Sequence, residues 1–175
     1  MSTSPFTHDD YNSNDGMLTS VWGPTLWHSL HTISFNYPVF PSREQKQQYF
    51  NYFKSLQDIL PCKYCRDNFK KNLEILPLNS EVMANRNNLS RWLYEMHNLV
   101  NKNLEKPIIL SYEQVRDRYE NFRSRCLTEK IDDKKEKGCT VPKYGKKPGS
   151  VIHIIPRDEI KGESIIIDER TIVKN

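Results

Sequence analysis

Apolar positions first fall into register at Trp22, Leu26, Leu30 and Ile33, the three- and four-residue spacing that lines up one buried helix face. Pro38 disfavours helical geometry at Tyr37, so this first helix ends there. A second helix opens in PSREQ, where Ser42 can cap and Gln45, three residues on, can reach back. Its stripe is Tyr49, Phe53, Leu56 and Leu60. Pro61 interrupts, and a short helix carrying Phe69 and Leu73 starts around Cys62 and is closed by Pro77. A longer fourth helix runs from about Ser80, with Leu89, Trp92, Met96, Val100 and Leu104 inward, until Lys106-Pro107 stops it. Ser111 and Gln114 repeat the capping box and open a fifth, with Val115, Tyr119 and Phe122 inward. The pattern predicts an all-α core.

The flanks break this period. Residues 1–19 are polar and rich in Ser, Asn and Asp, which predicts a disordered lead. After the core, residues 20–126, comes a charged linker, 127–150, containing KIDDKKEK and then KYGKKPGS. Residues 151–175 hold the β-branched runs VIHII and SIIIDERTIV around a turn-like RDEIKGE, which predicts a β-hairpin. An isolated hairpin is marginal, so it needs a surface to pack on.

Composition narrows the classes. A chain of 175 residues with 37% hydrophobic residues suits one domain plus tails. The net charge of +4 does not demand an acidic partner, and the tail lysines lack interleaved aromatics, so no nucleic-acid role is expected. No apolar run approaches the roughly 20 residues of a membrane span, and no secretory signal is read at the start. Four cysteines are too few for a disulfide-dense secreted module.

The chemistry centres on LPCKYC, with Cys62 and Cys65 three apart. Zinc asks for four ligands, usually as two close pairs, and Cys126 and Cys139 stand thirteen apart, so no metal is expected. A thioredoxin-like motif expects a βαβ context that is missing here. A cysteine in the first turn of a helix faces unpaired N–H groups that favour its thiolate, which makes Cys62 the reactive sulfur of a redox pair. A structural pair is the plainer alternative, but so small a loop constrains an unfolded chain little. On the fourth helix His97 and Asn101, with Asn98 beside them, form a polar edge, and Trp27 and His31 share a face of the first. Each alone suits a core; together they suggest two helices presenting aromatic and polar groups to a flat cofactor.

WGPTLWHSLHTISFNYP at 22–38, PCKYC, and HNLVNKNLEKP at 97–107 resemble, in that order, the ERV/ALR family of FAD-linked sulfhydryl oxidases, over roughly residues 20–126. The resemblance implies a four-helix bundle with a short fifth helix, holding FAD and working as a homodimer. It implies that Gly23, Trp27, His31 and Tyr37 surround the flavin and that His97, Asn98, Asn101 and Lys102 surround the adenosine half, with Lys106 as a phosphate contact. Tyr119, in VRDRY, takes a place where the family usually has tryptophan. Cys62 would exchange with substrate thiols and Cys65 would pass electrons to the flavin, which returns them to oxygen as hydrogen peroxide. Client protein thiols are then the partners.

One departure concerns the other cysteines. The family commonly has a cysteine where this chain has Ser111, so Cys126 lacks its usual partner. Pairing with Cys139 as a staple is favoured, since thirteen residues close easily; a bridge between subunits and a shuttle disulfide are the other readings. The alternative to an oxidase is a non-enzymatic helical binding module with a structural or zinc-binding CxxC. The missing signal and the C-terminal extension point to a member from a large DNA virus, acting in host cytoplasm or virion, with the mitochondrial intermembrane space as the other location.

Overall fold

The computed structural model describes residues 5–126, 138–160 and 162–172. The KIDDKKEK run of the linker lies outside the described residues. Among the described residues six α-helices follow in order: α1 (His8–Tyr11), α2 (Thr19–Phe35), α3 (Arg43–Ile59), α4 (Lys63–Ile75), α5 (Arg86–Asn103) and α6 (Tyr112–Glu120). Helices α2 to α5 form the bundle: α2 packs on α5, α3 on α4, and α6 closes against α2 and α5.

Each boundary has a local cause. Ser42 and Ser111 cap α3 and α6 in reciprocal boxes with Gln45 and Gln114, which satisfies backbone donors at both helix starts. Cys62 itself is the N-cap of α4, its sulfur accepting the Cys65 N–H at 3.3 Å. The fourth expected helix begins later than its apolar pattern suggests, at Arg86 rather than Ser80. Two asparagines explain the delay: the Asn79 side chain takes the N–H groups of Glu81 and Val82, and Asn85 caps Asn88. Such side chains compete with helical hydrogen bonding, so only a 3-10 turn, Val82–Ala84, forms between them.

The main core gathers Leu30, Phe53, Leu56, Phe69, Leu73, Leu89, Trp92, Leu93 and Met96. A smaller cluster of Phe35, Tyr112 and Val115 seats α6, and Arg123 ties its far end to α2 by donating to Phe35 O at 2.6 Å. Val100 is only half-buried and Leu104 is exposed, because α5 outruns the bundle at its C-terminal end.

Both flanks depart from expectation. The lead carries the short helix α1, capped by Thr7, and Met17 N–H donates to Pro61 O at 2.8 Å. No hairpin forms among the described residues of 151–172; two 3-10 turns, Arg157–Glu159 and Glu169–Thr171, stand there instead. The isoleucines at 152, 154 and 166 are exposed, so the runs lack the packing surface a strand pair needs. What pairing exists lies earlier, where residues 141–143 run antiparallel to 123–125 and Cys126 is disulfide-bonded to Cys139.

Candidate active site

One row of α2 organises the site. Thr19, Gly23, Trp27 and His31 follow at four-residue intervals, so they share a helix face over about 18 Å. At its start the Thr19 hydroxyl lies 3.9 Å from the Cys65 sulfur. At its other end Trp27 stacks on His97 of α5, with ring centres 4.0 Å apart and planes 5° from parallel. His31 reaches the same ring by a 3.1 Å contact between its Nε2 and His97 Nδ1. Tyr119 of α6 continues the stack, its ring 5.3 Å from His31, and its hydroxyl lies 3.3 Å from His28 Nδ1.

Between sulfur and stack lies Gly23. It is buried, yet apart from its chain neighbours a methyl placed there would meet only Thr19 Cγ2 within 4 Å, so there is room against the helix at this point. A flat group can therefore approach the helix backbone between Cys65 and Trp27. Two buried polar atoms lack partners among the described residues: His31 Nδ1 and Asn72 Nδ2. A buried orphan is costly, and a hydrogen-bonding ligand against this face would satisfy His31.

The cysteines differ in environment. Cys62 is held below its ordinary thiol range by hydrogen bonding from the Cys65 side chain, then by backbone N–H groups of the α4 first turn. Cys65 is pushed up to about 11, chiefly by burial and then by Cys62, with Thr19 pulling the other way. Both are free thiols. Among the described residues no group of three His, Cys, Asp or Glu side chains gathers as a metal site.

The remaining expected residues divide. Asn98 and Asn101 are half-buried on α5, while Lys102 and Lys106 are exposed at its end. Glu105 adopts φ 55, turning the chain so that Lys106 N–H returns to Asn101 O at 2.8 Å. Tyr37 is not brought to the stack: it is fully buried against Tyr49, and its hydroxyl donates to Met83 O. It braces the bundle from behind. Sequence reasoning missed Thr19, whose only signal was its place four residues before Gly23. It also missed Asn72, seven residues after Cys65 on a helix and hence on the same face.

Burial drives His97 down to about 4, with Lys106 adding to it, and drives His31 to about 3 together with the charges of His97 and His28. Both rings are thus neutral in the fold, whereas the unfolded chain takes up protons near pH 6.5. Below that pH the unfolded state binds more protons, so stability falls as pH drops from about 6.5 toward 4. The melting temperature should be clearly lower at pH 5 than at pH 7.5, with a shallower slope in His97→Gln. A flat profile would show that the two rings are not kept neutral.

Fold and site together define a helical thiol redox protein, with a cysteine pair at one end of an aromatic face shaped for a planar cofactor. The model of the Erv1 / Alr family matches residues 24–120, more than half of the chain. The chain belongs to that family. A probable FAD-linked sulfhydryl oxidase of Acanthamoeba polyphaga mimivirus is 35% identical over 99 residues, which cover 57% of this chain and 69% of the relative. The mitochondrial FAD-linked sulfhydryl oxidase ERV1 of Saccharomyces cerevisiae is 34% identical over 85 residues, and the match spans only 43% of its length. The crystal structure of the yeast Erv1 core aligns with a TM-score of 0.53 at 29% identity, covering 67% of this chain and 96% of that one.

Proposed function

We propose that the protein is an FAD-dependent sulfhydryl oxidase that forms disulfides in client proteins. The observation that carries this is the α2 face, which joins a half-buried cysteine to an aromatic stack across a glycine with room beside it. The family's FAD-linked members support the same cofactor. Trp27, His97 and Tyr119 offer ring faces to FAD, and His31, Asn98 and Asn101 offer hydrogen bonds. Lys102 and Lys106 offer charge to its diphosphate.

The chain's own chemistry follows from the asymmetry of the pair. In the oxidised enzyme, a substrate thiolate attacks Cys62, the more accessible sulfur at the helix start. A new S–S bond forms to the substrate, the Cys62–Cys65 bond breaks, and its electron pair stays on Cys65. A second substrate thiolate then attacks the substrate sulfur and displaces Cys62, releasing the product disulfide. Bound FAD would supply the redox chemistry that a dithiol lacks, as acceptor of the two electrons of the cysteine pair and donor to oxygen, with Trp27, His31, His97, Asn98, Asn101 and Tyr119 holding it. Cys65 is more desolvated than Cys62, which favours the outer sulfur as the point of attack.

A homodimer as the working form rests on the family resemblance alone; an apolar groove of about 410 Å³ on this chain is lined by Trp22, Leu26, Leu56, Ile59 and Leu60. No described helix is long and apolar enough to cross a membrane. The mimivirus relative and African swine fever virus relatives at 30% identity support a viral member acting in host cytoplasm or virion, while the yeast mitochondrial relative at 34% supports the intermembrane space as the other location.

The first test is the visible spectrum of the purified protein, followed by oxygen uptake with dithiothreitol. Flavin bands with thiol-dependent uptake and peroxide are expected. A colourless protein that FAD does not restore would overturn the reading.

A further inference from the structure

The lead makes a contact with the redox motif that the oxidase reading does not use. Residues 15–18 cross the start of α4, where Met17 N–H donates to Pro61 O at 2.8 Å and Met17 O accepts the Trp22 indole N–H at 3.0 Å. Gly16 presses closest: a methyl there would stand 2.6 Å from Pro61 O and 3.3 Å from Cys62 Cα. Such distances are too short for a side chain, so only glycine lets this strap lie flat on the motif. The strap ends in Thr19, the first residue of α2, and fixes where its hydroxyl sits relative to Cys65.

We propose that Thr19 is a further catalytic residue, its hydroxyl donating a hydrogen bond to the Cys65 sulfur as that sulfur becomes the leaving thiolate, with the Gly16–Met17 strap holding it in place. The proposal rests on the oxidase reading for its role in turnover. When substrate thiolate attacks Cys62, one S–S bond forms and one breaks, and the departing electron pair localises on Cys65. Thr19 keeps its proton and contributes a hydrogen bond, so the step balances without another reactant.

The need for such a donor follows from the surroundings. Arg66 is the last of the influences on Cys65, and its guanidinium donates to Leu60 O at 2.6 Å rather than to the sulfur. Lys63 and Asp67 on the same helix pair with each other at 2.6 Å. Asp15 stands at the outer end of the strap, and α2 presents no charged group there. The inner sulfur is therefore partly buried with one hydroxyl beside it.

The test uses the purified full-length chain carrying Cys62→Ala, which cannot form the disulfide and adds no hydroxyl beside Cys65, so it reads Cys65 alone, whether or not the protein oxidises thiols. The readout is the rate of Cys65 alkylation by iodoacetamide at pH 8.5, which tracks its thiolate fraction. Thr19→Val should slow it by about three- to tenfold, the effect of losing a hydrogen bond to a partly exposed charge. Thr19→Ser should stay within about twofold, because it keeps the donor. Gly16→Ala should reproduce the loss by lifting the strap, and its combination with Thr19→Val should be no slower than either alone. An unchanged rate in Thr19→Val, or a Thr19→Ser as slow as Thr19→Val, would overturn the role of the hydroxyl. An unchanged rate in Gly16→Ala would overturn that of the strap. Oxygen uptake by the Thr19 variants in the Cys62-intact chain reports separately on the oxidase itself.

Discussion

Replacing Cys65 by serine is expected to reduce oxygen uptake with dithiothreitol by more than roughly 10³-fold, the scale on which losing one member of a reacting unit stops the whole. Cys65 is the more desolvated sulfur of the pair and lies 3.9 Å from the Thr19 hydroxyl at the start of the Thr19–Gly23–Trp27 row, so the proposed oxidase passes its electrons through it. Cys62→Ser should lose turnover as fully, since a single thiol cannot accept a substrate by disulfide exchange. The two variants should differ in reactivity rather than in rate of turnover. Cys62, in Cys65→Ser, should alkylate at least about tenfold faster at pH 7.5 than Cys65 in Cys62→Ser, because thiolate fraction governs that rate. The causes are local: hydrogen bonding from the Cys65 side chain, then the backbone N–H groups of the α4 first turn, lower Cys62, while burial raises Cys65. Substantial uptake in Cys65→Ser would mean that electrons leave by another route. Equal alkylation rates would remove the division of labour between the sulfurs.

Period and punctuation carried most of the fold into the sequence. Capping boxes at Ser42 and Ser111 fall where the structure has them, because a cap is a local contact of four residues. The start of α5 was illegible from its apolar stripe, since Asn79 and Asn85 override it by side-chain hydrogen bonds. The hairpin failed for a different reason. β-branched runs state a preference, but whether a strand pairs depends on a surface elsewhere in the molecule, and here those isoleucines are exposed.

The candidate site was legible to the same degree. Trp27, His31 and His97 could be suspected from helix faces, and their meeting in one stack is a tertiary fact supplied by α2 packing on α5. Tyr37 carried a motif signal, and what the motif did not state is its burial against Tyr49 with its hydroxyl donating to Met83 O. Thr19 carried no motif at all. Its importance comes from Gly16 and Met17 docking on Pro61, a contact between segments some 45 residues apart that no local pattern encodes.

Trp92→Ala should cost about 3–5 kcal/mol, the range for truncating a large buried aromatic. The indole is almost fully buried at the meeting of three helices, edge-on to Phe53 of α3 with ring centres 5.8 Å apart. Its N–H donates to Leu76 O at 3.0 Å, satisfying a carbonyl that the end of α4 leaves without a helical partner. Removing it leaves both a cavity and an unpaired acceptor. For a domain of about 100 residues each kcal/mol shifts the melting temperature by roughly 4–8 °C, so a drop of at least about 12 °C is expected. Trp92→Phe keeps most of the ring and loses the hydrogen bond, which should cost only about 1–2 kcal/mol. The position of Trp92 also fixes how the loss should depend on cofactor. It anchors the C-terminal end of α4, whereas the redox pair sits at the N-terminal end, so it is no part of the Trp27–His97 stack. The drop should therefore be the same with and without added FAD in a thermal melt followed by circular dichroism. A drop confined to the FAD-loaded protein would place Trp92 in the site instead, and a drop below about 5 °C would mean that the α3–α4–α5 junction is not where this bundle keeps its stability.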